Sequence, residues 1–158
     1  MISAIVIKEW GASPGLMKSQ LNQLVEASLV AAAANHYSQY MYLHFQHIAY
    51  SRYGYKTRAA KYQAKKNKLM KHVLPLVWSG TSRDLALGGE PLIRSTRYRA
   101  TLVQRARGLN RRSSHSQIHM NEEIKATTQS EINTAAQVAE RTFKRLVRDQ
   151  QATKTTRV

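Results

Sequence analysis

The sequence predicts an α+β fold: a long N-terminal helix, a small antiparallel β-sheet with a hairpin, a long C-terminal helix and a protruding basic arm. Three observations lead to it. From Leu16 to about Tyr50 there is neither Pro nor Gly, and Leu21, Leu24, Ser28, Ala31, Ala32 and Asn35 recur mainly three and four residues apart, as on one helical face. Between Leu92 and Arg105 the side chains alternate as they do along a strand. Beyond Asn121, Ile124, Thr128, Ile132, Ala135, Ala139, Phe143 and Leu146 again step by three or four, which marks a second long amphipathic helix.

Taken in order, residues 2–7 are mostly β-branched or apolar and read as a short strand. Gly11 to Gly15 breaks the chain, and Ser13 is a candidate helix cap with Pro14 at the first helical position. The helix that follows contains Ala31-Ala32-Ala33-Ala34, which favours helix and leaves room for another backbone to come close. It is expected to continue through His44, Phe45 and Ile48 and to end near Gly54. Residues 52–72 form the basic arm, in which 56–72 is either a short helix carrying Tyr62 and Leu69 or a segment ordered only when bound. Residues 73–78 are apolar and lead to a Ser79-Gly80 turn.

Leu85-Ala86-Leu87 and Leu92 to Arg105 read as two strands joined around Gly88-Gly89. In the second strand Tyr98, Ala100 and Leu102 share one face, and Arg97, Arg99, Thr101 and Val103 share the other. Gly108 to His119 reads as a polar basic loop. Asn121 is a candidate cap, with Glu122 and Glu123 in the favourable first turn. Glu140 and Lys144 make an i,i+4 pair, and residues 151–158 read as a flexible tail. The whole of 1–158 is expected to be one domain.

The charge balance speaks to partners rather than to fold. The 158 residues carry 25 Lys+Arg against 9 Asp+Glu, a formal net charge of +16, which points to nucleic acid, an acidic protein surface or an anionic membrane. The chain has no cysteine, which excludes a disulfide scaffold and any thiolate metal site. Residues 1–10 lack a basic leader region, and the weakly polar run from Leu24 to Ala34 is about half of the ~20 residues a membrane-spanning helix needs. A soluble, non-secreted protein is expected.

The densest signal is the basic band. No acidic residue occurs between Glu26 and Asp84. That stretch holds Arg52, Lys56, Arg58, Lys61, Lys65, Lys66, Lys68, Lys71 and Arg83, with Tyr53, Tyr55 and Tyr62 among them. Lys61, Lys65, Lys68 and Lys71 are spaced to share a helical face, where they suit phosphate contacts, and tyrosines can stack on bases or pack on a neighbour. A second acid-free tract carries Arg97, Arg99, Arg105, Arg107, Arg111 and Arg112. The plainer alternative is a solvated basic face. No helix-turn-helix or zinc-finger pattern offers base readout, so any nucleic-acid contact is expected to be nonspecific.

The other constellations are weak. His44 and His47 lie three apart, with His36 two turns earlier, but no carboxylate is near in sequence to complete a metal site. Gly88-Gly89 lacks the Lys-Ser/Thr of a phosphate loop. Glu122 and Glu123 are adjacent, so they diverge around a helix. The expectation is a non-enzyme without cofactor or metal. Trp10, Trp78 and Phe45 read as core or subunit-contact residues.

His44-Phe45, then Tyr53-Gly54-Tyr55, then Tyr62 with Lys65-Lys66, then Pro75-Leu76-Val77-Trp78-Ser79-Gly80 and Arg83, resembles the phage virion-morphogenesis group. That group includes tail-completion, minor tail and head–tail joining proteins. The resemblance spans roughly residues 16–150 and is sharpest over 44–83. It implies a structural protein of the phage neck, a tail terminator or head–tail connector acting as a ring of copies. Its implied partners are copies of itself, an adjoining connector or portal-side protein, the tail-tube protein, and packaged DNA contacted nonspecifically. It implies a virion component at the head–tail junction, made in the host cytoplasm. Residues 52–71 would be an arm docking on the adjoining ring, with Trp78 anchoring its base. The alternative is a ribosomal or other RNA-bound basic protein, which charge and size suit equally. A small enzyme with a histidine site ranks behind it, as does a membrane-surface role, for which the band lacks a matching apolar face.

Overall fold

The computed structural model describes residues 18–103, 109 and 118–155. The expected strand at 2–7, the Ser13-Pro14 cap, Trp10 and most of the loop at 108–119 lie outside the described residues. The rest is α+β and mostly helical: α1 (Lys18–Tyr40), a 3-10 turn (Met41–Phe45), α2 (Ala49–Arg52), α3 (Ala60–Met70), α4 (Thr81–Leu87), β1 (Ile93–Thr96), β2 (Arg99–Leu102), α5 (Met120–Glu123) and α6 (Gln129–Thr155). These elements divide into two compact units. One comprises α1 as far as His36, residues 92–103 and α6; the other comprises 37–91 and, among the described residues, Leu109 and 118–128.

In the first unit the long helices meet through small side chains. Ala32 of α1 packs with Ala135 and Ala139 of α6, and Val138 lies against them. Alanine supports helix intrinsically and lets two backbones approach closely. The same side of α1 buries Leu24, Ser28 and His36, which together with Ala32 fall four residues apart in succession. The Ser28 hydroxyl donates to the Leu24 carbonyl at 2.7 Å, so burying it strands no donor. On α6, Glu131 is fully buried one turn before Ala135. The Glu140–Lys144 pair forms as expected, at 2.7 Å.

The hairpin belongs to this unit. Ile93 pairs with Leu102 and Thr96 with Arg99, antiparallel, so the turn residues are Arg97 and Tyr98. Exposure alternates along both strands, with Ala100 and Leu102 half-buried and Arg99 and Thr101 exposed. Ser95 donates to the Glu26 carboxylate at 2.7 Å, which ties β1 to α1.

Four expectations are corrected. Leu85-Ala86-Leu87 is not a strand and Gly88-Gly89 is not the hairpin turn: Leu85 to Leu87 are the last residues of α4, and the stretch expected as one strand, Leu92 to Arg105, supplies both strands of the hairpin. Gly80, at φ 93°, takes the cap position before α4, and the Gly88 amide donates to Asp84 O at 2.7 Å to close it. A Cβ on Gly88 would sit 2.5 Å from that same carbonyl, so this exit requires glycine.

The first helix does not continue to Gly54. It leaves helical geometry at Tyr40 (φ −127°) and tightens into the 3-10 turn, which buries Met41, His44 and Phe45. Asn121 does not cap the C-terminal helix; it lies within α5, where His119 occupies the cap position without a side-chain bond, and α6 begins only at Gln129. Residues 151–155, read as part of a flexible tail, continue α6.

Candidate functional site

The second unit holds most of the sequence-predicted site residues. Its interior is built from the 3-10 turn, α2, the turn at Pro75-Leu76 and α4. Phe45, Ala49, Tyr55, Leu76, Val77, Ala86 and Ile124 are buried there, and Tyr37 donates to the Ala86 carbonyl at 2.9 Å. His44 is buried as well, and the Tyr53 ring stacks on it at 4.0 Å with the planes 6° apart. His44 Nδ1 lies 2.5 Å from the Tyr55 hydroxyl. Burial raises the Tyr55 phenol well above its ordinary value, so the hydroxyl keeps its proton beside the imidazole.

The cations of the band divide by role. Arg58 is held in a fork by Glu123, with its two terminal nitrogens 2.8 and 2.6 Å from the two carboxylate oxygens. It also donates to the Lys56 carbonyl at 2.7 Å. Burial works against the Arg58 charge, but the hydrogen bonds and charge of Glu123 outweigh it and raise the guanidinium's pKa further. Lys66 turns inward. Its ammonium donates to the Leu74 carbonyl, immediately before Pro75, and burial together with the Arg58 charge lowers its pKa. Arg52 is half-buried, over the Tyr40 and Tyr53 rings at 5.5 and 5.8 Å.

Lys56, Lys61, Lys65, Lys68 and Lys71 are exposed. Lys61, Lys65 and Lys68 share one face of α3 by spacing, and Lys71 ends that helix in the left-handed conformation at φ 59°. Beside the lysine row stand Tyr62 and Leu69, both exposed. Trp78 is 38% exposed rather than core, with its ring 5.7 Å from that of Tyr62 and tilted by 43°. The Lys66 ammonium lies 5.9 Å from the Tyr62 ring centre, a cation–π approach from within the unit. The residues from 60 to 70 are therefore a helix, the first of the two alternatives open for this stretch.

Pro75 and Leu76 occupy the centre of a buried turn, with Leu76 at φ 54°, a conformation that favours glycine. Gly80 is also buried, and Arg83 pairs with its neighbour Asp84 at 3.1 Å. Arg97 and Arg99 are exposed on the hairpin of the other unit, where the Arg97 guanidinium sits 4.4 Å over the Tyr98 ring. Arg111 and Arg112 lie outside the described residues.

Sequence reasoning missed three participants. Glu123 reads as a helix-start acid but is the partner of Arg58, 65 residues away in sequence. Lys66 reads as one more surface cation. Leu74 offers only its carbonyl, which leaves no trace in a side-chain pattern. Chemically the outward face of α3 can bind anions and pack against rings. Among the described residues no group of three or more His, Asp or Glu is placed to hold a metal ion, and no helix is long and apolar enough to cross a membrane. No family model, curated protein or solved structure matches this chain.

Proposed function

We propose that this chain is a structural protein of the phage neck, a tail-completion, terminator or head–tail connector protein that acts as a ring of copies between the DNA-filled head and the tail. The observation that carries the proposal is the order His44-Phe45, Tyr53-Gly54-Tyr55, Tyr62 with Lys65-Lys66, Pro75 to Gly80 and Arg83, all within one compact unit. The packing of those residues supports it. His44 engages Tyr53 and Tyr55, Tyr62 meets Trp78, and Lys66 bonds to the carbonyl preceding Pro75. The motif thus acts as a frame, and the lysines between its members point outward, where a ring lining a DNA passage or meeting acidic neighbours needs them. Its partners are further copies of itself, a portal-side connector and the tail-tube protein; its task is assembly, with the cations neutralising what they face.

The reading is tested by making particles without the chain. Separate DNA-filled heads and tails that join when the protein is added back are expected. Normal yields of intact tailed particles in its absence would overturn the proposal.

A further inference from the structure

We propose that Tyr62 and Trp78, with the lysine row of α3, form a binding face for single-stranded nucleic acid, in which the rings stack on unpaired bases and the lysines follow the phosphates. The inference goes beyond the neck assignment and does not depend on it. Lys61, Lys65 and Lys68 are exposed and lie along about 10 Å of helix axis. Tyr62 follows Lys61 in sequence and so sits one position around the helix from the row, with Trp78 against it. Large aromatic rings are usually withdrawn from water, yet Tyr62 is 43% and Trp78 38% exposed.

Charge complementarity selects the occupant. No acidic residue lies between Glu26 and Asp84. Within the unit, Glu123 is engaged by Arg58 and Asp84 by Arg83, and the other two acids, Glu90 and Glu122, are exposed and lie outside the basic band in sequence. A strand of phosphates therefore meets cations with little to repel it. A duplex satisfies only the lysines, because its bases are already stacked on one another. A single strand satisfies both lysines and rings, since every base presents a π-face whatever its sequence. A protein partner would need to be strongly acidic to meet the row.

The test uses the full chain and fluorescence anisotropy with labelled strands of equal length: oligo-dT, oligo-U, an abasic strand and a duplex. Oligo-dT or oligo-U should bind at least tenfold more tightly than the abasic strand, and whichever binds better identifies DNA or RNA as the source. Tyr62→Ala and Trp78→Ala should each weaken binding to the base-bearing strand by roughly tenfold, the scale of one lost stack. Neither should change affinity for the abasic strand, and Trp78→Phe should retain most of the binding. Replacing Lys61, Lys65 and Lys68 together by Gln should weaken binding to both strands. It should also reduce the slope of log affinity against log salt by about 2, as for three phosphate contacts on a single strand. Equal affinity for abasic and base-bearing strands would overturn the proposal, as would duplex or polyglutamate binding as tightly as oligo-dT.

Discussion

At the residue scale, each unit has a buried polar group that bears on its own stability. Arg58 and Glu123 are about nine-tenths buried, with side-chain exposures of 10% and 11%. Removing one charge leaves the other desolvated without its counter-charge, so Glu123→Gln should cost about 3 kcal/mol in urea unfolding. Arg58→Lys should recover little of what Arg58→Ala loses, because an ammonium cannot reproduce the fork. Tyr55→Phe, which removes the hydroxyl facing His44 Nδ1, should cost about 1–2 kcal/mol. The second group is His36, whose imidazole is held below its ordinary value by burial, with the Glu131 charge opposing that shift. A depressed imidazole favours the fold in its neutral form, so its contribution is complete above the ordinary value of 6.5 and is lost as pH falls through the depressed one. The urea midpoint should therefore fall between about pH 7.5 and pH 5, and His36→Gln should flatten that fall. An unchanged pH profile in the variant would contradict this role.

At the element scale, α3 is secured at its C-terminus but not at its start. Ala59 occupies the cap position at φ −53° and ψ 139° with no side-chain acceptor. Ala59→Ser or Ala59→Asp should stabilise the protein by about 1 kcal/mol, read as a raised urea midpoint. In the other unit the alanine seam leaves no room, so Ala139→Leu should destabilise by about 1–3 kcal/mol through overpacking. Periodicity over many residues made α1 and α6 legible in the sequence, because a long stretch without breakers leaves few alternatives. Leu85-Ala86-Leu87 was not legible: three apolar residues fit a strand and a helical turn equally, and the closing contact of Gly88 with Asp84 is a backbone event. The break at Tyr40 was hidden for a related reason. No Pro or Gly marks it, and burial of His44 and Phe45 accompanies the change of path. The alternation of Ala100 and Leu102 against Arg99 and Thr101 holds within β2, since it rests on period two alone. The single strand expected over Leu92 to Arg105 is itself the hairpin, however, and Arg97 and Tyr98 belong to its turn rather than to the two faces.

At the scale of the whole molecule, the net charge is +16, and the cations of the basic band divide between inside and outside. The band reads as uniform in sequence because lysine and arginine look alike there whichever way they point. Folding turns Lys66 toward the Leu74 carbonyl and Arg58 toward Glu123, and leaves Lys61, Lys65 and Lys68 in water. Inward cations answer to packing and outward ones to partners, so the two sets should separate by experiment. Neutralising the outward row should leave the urea midpoint within about 0.5 kcal/mol of wild type. Neutralising Lys66 or Arg58 should lower it clearly. The neck assignment is most directly tested by labelling particles from a lysate with a gold-tagged antibody against this chain. It predicts gold at the head–tail junction of intact or opened particles. Gold at neither would contradict it and leave an RNA-bound basic protein as the reading to pursue.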